Sequence, residues 1–94
     1  MNRLEHLLTI LMEECCELAQ DTAKAKRFGV NEQRDLPTSN RDRMEKEFND
    51  VFAVIEMLKD EGCILRLDPV AMELKKAKVE KYLKYSAECG TLTR

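Results

Sequence analysis

The sequence predicts an all-α fold, a helical bundle of about three main helices per chain that oligomerisation completes. Three observations carry the expectation. Apolar residues recur at spacings of three and four over long stretches, which is the pattern of an amphipathic helix. Three Gly and two Pro are the only strong breakers in 94 residues, and Glu, Lys, Leu and Ala, all helix formers, are abundant. A chain this short buries only about 65% of its unfolded surface, so pairing with further copies, as a dimer or a tetramer, is the first expectation.

Helix one is expected over residues 2–27, which contain neither Gly nor Pro. Leu4, Leu7, Leu8, Leu11, Cys15, Leu18 and Ala19 trace its apolar stripe, and Gly29 stops it. Residues 30–40 are polar, contain Pro37 and end in the cap residues Thr38, Ser39 and Asn40, so they form a loop that leads into a helix start. Helix two is expected over residues 41–60 with Met44, Phe48, Val51, Phe52, Ile55 and Leu58 on its apolar side, and Gly62 closes it. Asp68-Pro69 reads as an N-cap followed by proline at the first helical position. Helix three then runs to about residue 88, before Gly90. No repeat or composition break divides residues 1–94, which read as a single domain.

Charge and cysteine usage exclude several classes. With 16 basic and 18 acidic residues, no basic excess calls for specific nucleic-acid binding. Cys15, Cys16, Cys63 and Cys89 form no C-x-x-C pair and His6 is the single histidine, so the case for a zinc site is weak. The cysteines read as reduced thiols of a cytosolic protein. The apolar run at residues 7–12 meets Glu13 and Glu14 at once, too soon for a signal or a membrane span. A soluble, cytoplasmic protein without a membrane partner is expected.

The placement of the acids is the informative feature. With Leu4 at zero, Glu14 falls at about 280° and Glu17 at about 220° around helix one, with apolar Ile10 between them at about 240°. With Met44 at zero, Glu47 falls at about 300° and Asp50 at about 240° around helix two, with Val54 between them at about 280°. A single E-x-x-E in a Glu-rich helix is ordinarily a solvated face. Two such pairs on the inward flanks of consecutive helices need a joint explanation. Four ionised carboxylates spaced about 6 Å apart would repel by roughly 3 kcal/mol per pair at an effective dielectric of about 20. The sum rivals the whole stability of a small domain, about 5–15 kcal/mol. Such a cluster takes up protons or holds cations, and oxygen ligands without His or Cys favour Mg²⁺ or Mn²⁺.

Helix three offers the opposite charge. Lys78 and Lys81 lie inside its apolar arc, at about 80° and about 20° from Val70. There they either snorkel along apolar surface or meet phosphate as point charges.

Glu13-Glu14-x-x-Glu17 followed by Glu47-x-x-Asp50 resembles the EExxE…ExxD signature of MazG-like nucleotide pyrophosphohydrolases, the all-α NTP pyrophosphatase superfamily. Lys24-Ala25-Lys26-Arg27-Phe28-Gly29 and Lys78-Val79-Glu80-Lys81-Tyr82-Leu83-Lys84-Tyr85-Ser86 are similar to a short, single-domain, partly phage-borne branch. The resemblance covers most of the chain, although the interval between Glu17 and Glu47 is longer than usual. It implies hydrolysis of a (deoxy)nucleoside triphosphate to monophosphate and pyrophosphate within a dimer or tetramer. By position it implies Glu14, Glu17, Glu47 and Asp50 as Mg²⁺ ligands, with Mn²⁺ a substitute. Glu14 or Glu17 would take or orient the proton of the water that attacks the α-phosphorus. Lys24, Lys78, Lys81 and Arg27 would meet the substrate phosphates. The alternatives are a non-catalytic helical interaction or regulatory module, which gives Glu47 no reason to sit in an apolar arc, and a pseudo-enzyme that keeps only nucleotide binding.

Overall fold

The computed structural model describes residues 1–93, and among them are three α-helices and no strand: α1 (Arg3–Phe28), α2 (Asn40–Asp60) and α3 (Pro69–Glu88). Each boundary has a local cause. The Asn2 side chain accepts from the Glu5 N–H at 2.8 Å, and Gly29 ends α1 at φ 110°, a conformation that glycine adopts without strain. α2 begins at Asn40 because Ser39 is its N-cap. The Ser39 hydroxyl accepts from the Asp42 N–H at 3.1 Å, and the Asp42 carboxylate accepts from the Ser39 N–H at 3.2 Å, a reciprocal capping box. Asn40 is buried and donates to the Gly29 carbonyl and the Glu32 carboxylate, which ties the loop to the helix it introduces. Asp68 caps α3 by accepting from the N–H groups of Val70 and Ala71.

α1 and α2 form an antiparallel hairpin. Arg3 pairs with Glu61 at one end, and the Val30 carbonyl accepts from the Arg41 N–H at the other. Leu7, Val54 and Leu58 are buried between them, with Leu4, Ile10, Leu11 and Cys63 packed alongside. The seam is rotated from the expected one. Phe48 is 51% exposed, and Met44, Val51 and Ile55 are only half-buried. The apolar arc of α2 is wider than one neighbouring helix can cover, and the hairpin uses the flank that carries Val54 and Leu58. On α1, likewise, Leu8 and Cys15 are exposed while Ile10 joins the core.

α3 stands apart. None of its residues is buried, and no Cα of α3 lies within 8 Å of α1 or α2. The radius of gyration is accordingly 16.9 Å, against about 12 Å for a compact domain of this length. No helix among the described residues is long and apolar enough to cross a membrane.

Candidate functional site

The rotation of the seam brings the acids together. Ile10 and Val54, each lying between two acids on its own helix, are turned toward the opposite helix, so the carboxylates on either side face each other. Glu14, Glu47 and Asp50 each present an oxygen, and the three oxygens lie within 4.8 Å of one another. Glu17, one turn beyond Glu14 and exposed to solvent, is near enough for its charge to bear on Glu14 and Glu47. Three of the four predicted metal-site residues thus converge across the seam, with Glu17 beside them. The side chain of Glu47 is largely enclosed, at 12% exposure.

Two oxygens in this cluster have no partner. Glu14 Oε2 and Glu47 Oε2 are buried and accept no hydrogen bond. An unsatisfied buried acceptor costs about 1–3 kcal/mol, and more when charged. The electrostatics follow the geometry. Burial pushes the Glu14 carboxyl above the usual range, and the negative charges of Glu17, Asp50 and Glu47 push it further. Burial raises Glu47 as well, with Lys46 opposing and Glu17 and Asp50 reinforcing the rise.

Lys46 is the residue beside the acids that the sequence pattern left unnoticed. Its Nζ lies 2.8 Å from Asp50 Oδ2 and 3.6 Å from Glu47 Oε1. The hydrogen bond to Asp50, followed by the charges of Asp50 and Glu47, raises its pKa. The signal for it was the i,i+4 spacing of Lys46 and Asp50, which on a helix surface is ordinarily an unremarked ion pair. One ammonium group does not balance four carboxylates, and the two orphaned oxygens lie elsewhere.

The donor set fits a hard divalent cation. Oxygens around one octahedral Mg²⁺ lie about 3–4 Å apart, so three oxygens within 4.8 Å need only side-chain adjustment to share an ion. The orphaned Oε2 atoms would gain the ligand they lack.

The predicted phosphate-binding cations are not gathered in the same way. Lys24 lies about two turns along α1 from Glu17 and lines a small recess with Phe28, Glu32, Arg34, Asn40 and Arg43. Arg27 stacks on the Phe28 ring at 4.6 Å. Lys78 and Lys81 belong to α3, which does not approach the acids within one chain, and Lys81 lies 5.9 Å from the centre of the Tyr82 ring. Their angular position on α3 could not tell which helix they face. Compared with known protein families, with curated proteins and with solved structures, the chain matches none.

Proposed function

We propose that the chain is a Mg²⁺-dependent nucleoside triphosphate pyrophosphohydrolase of the MazG-like type, which converts a (deoxy)nucleoside triphosphate to the monophosphate and pyrophosphate. The observation that carries the reading is the pair of buried, partnerless oxygens on Glu14 and Glu47, facing Asp50 across the hairpin seam. Glu14, Glu47 and Asp50 would hold the cation, with Glu17 completing the set. Mg²⁺, or Mn²⁺ in its place, would neutralise phosphate charge and lower the pKa of bound water. Glu17 or Glu14 accepts or orients the proton of the water that attacks the α-phosphorus. Lys46, 2.8 Å from Asp50 Oδ2, would hold that carboxylate in place beside the cation.

The substrate phosphates, about four negative charges at neutral pH, need cations beyond the metal site. Lys24 and Arg27, near the end of α1, would supply them from the same chain by reaching back along the helix. Lys78 and Lys81 enter only through a second copy, so the active species in this reading is a homo-oligomer. Its place is the cytoplasm, where nucleotides and Mg²⁺ occur together and the cysteines stay reduced.

The exposed apolar side of α3 favours a second reading, a helical interaction module without catalysis. One assay separates the two. The purified chain is incubated with a panel of dNTPs and NTPs plus Mg²⁺, and the products are identified. Monophosphate and pyrophosphate are expected, with activity lost in EDTA. The Glu47→Gln/Asp50→Asn double variant should lose at least about a hundredfold in rate, more than loss of an outer-shell partner typically costs, with its helices intact by circular dichroism. Unchanged monophosphate release in chelator, or from that variant, would refute the hydrolase; no release from any nucleotide would leave the interaction module.

A further inference from the structure

The hairpin uses one flank of its apolar surface and leaves the other open. Leu18 and Thr22 of α1, Val30 of the loop, and Met44 and Phe48 of α2 line an apolar groove of about 510 Å³, rimmed by Arg41 and Glu45. It is a different flank from that of the acids. Arg41, Met44 and Phe48 lie within about 60° of one another around α2, whereas Glu47 and Asp50 lie about 60° and about 120° from Met44 on the other side.

We infer that this groove receives α3 of a second copy of the chain, so that two chains pair by each laying α3 on the other's α1–α2 hairpin. Four observations select that occupant. The first is area. A folded monomer of 10.9 kDa exposes about 5,600 Å², whereas this chain exposes 7853 Å². The excess, roughly 2,200 Å² per chain by that comparison, is what an obligate homodimer hides, since such interfaces total about 2,000–5,000 Å². The second is that α3 is itself bare. Val79 and Leu83 lie on one side of it, 43% and 39% exposed, and Leu74 on another, 68% exposed. A lone helix of 20 residues gains most of its stability in water from packing an apolar face.

The third observation is charge. Residues 1–60 carry nine basic against thirteen acidic side chains, while α3 carries five lysines against three glutamates. Two copies of α3 laid side by side would repel, whereas the groove, with one Arg41 and one Glu45 at its rim, does not repel a basic helix. The fourth is the segment between α2 and α3, where Ile64, Leu65 and Leu67 are 48%, 54% and 72% exposed. An apolar linker left this exposed within its own chain is continuous with the same missing contact. None of this depends on the hydrolytic reading, because it rests on the exposed apolar surfaces of the hairpin and of α3 alone.

The test reads assembly, not activity. Sedimentation of the full chain at tens of micromolar should give a mass of two chains or an even multiple of it. Val79→Asp/Leu83→Asp on α3 and Met44→Asp in the groove should each reduce it to one chain, with helicity largely kept. A single-chain mass for the unaltered protein, or no change of mass in either variant, overturns the inference. Pairing partners are then fixed by cross-linking in a variant whose four native cysteines are alanine. Met44→Cys with Val79→Cys should give a covalent dimer, and neither substitution should do so alone. A dimer from Val79→Cys alone would show α3 against α3, and a link within one chain would show α3 folding back on its own hairpin. Either result contradicts the inference.

Discussion

α2 and α3 are nearly equal in length, at 21 and 20 residues, and each starts from a well-formed N-cap. Yet α2 buries Asn40, Val54 and Leu58, whereas α3 buries nothing. The contrast separates what a helix needs in order to begin and end from what it needs in order to create chemistry. Caps and breakers act over a few residues and serve both helices equally. A neighbour acts differently. Where α1 lies against α2, Glu14 and Glu47 lose solvent, keep oxygens without partners and are pushed up in pKa. On α3 the charged side chains remain solvated.

The largest expected effect of breaking this contrast is at Leu58, which is fully buried. Leu58→Ala should cost about 2–5 kcal/mol through lost contacts and a residual cavity. Its effect on the unfolding midpoint should be the same at every protein concentration. Leu83→Ala on α3 should cost stability only where chains are paired, so its effect should grow with concentration. Denaturation at two concentrations checks both.

The next effect is in pH, and it belongs to the hairpin alone. Because Glu14 and Glu47 have raised pKa values in the fold, the folded state binds protons that the unfolded chain releases. Stability from this source is therefore fully present below the usual carboxylate range and is lost as pH rises through the folded values. In chelator, the thermal midpoint should fall as pH is raised from about 4.5 toward neutrality. Glu47→Gln should flatten the curve. A steeper fall in that variant would contradict the placement of the strain.

The smallest effect compares the two caps. Ser39→Ala should cost about 1 kcal/mol and lower the midpoint of the cooperative transition, because α2 is part of the core. Asp68→Ala removes a cap of similar worth from a helix without a neighbour in its own chain. It should reduce the helical circular dichroism signal at low protein concentration and leave the hairpin's midpoint nearly unchanged.

Much of this was legible in the sequence. Gly29, Gly62, the Ser39 region and Asp68-Pro69 set all three helices to within a residue or two, since these signals are local. The four acids were legible for a related reason: Glu47 and its neighbours share an arc with apolar side chains, and a helix reports such placement by spacing alone. The rotation of the seam was not legible. The arcs on α1 and α2 are broader than their mutual contact, and spacing gives the centre of an arc, not the part of it that a neighbour chooses. Lys46 escaped notice because its i,i+4 partner Asp50 looked like a surface pair until the fold placed Glu47 and Glu14 beside it. Lys78 and Lys81 show the converse limit, since a position on one helix does not identify the helix across from it.

Thermal melting across a Mg²⁺ titration at fixed ionic strength, run beside the Glu47→Gln/Asp50→Asn variant, tests the metal-centred account most directly. An ion bound only by the folded state raises the midpoint by mass action, and in a domain of this size each kcal/mol is worth about 4–8 °C. The unaltered protein should gain several degrees at low millimolar Mg²⁺ and the variant should gain none. Equal shifts in both proteins, or no shift in either, would contradict a divalent cation held at the seam between α1 and α2.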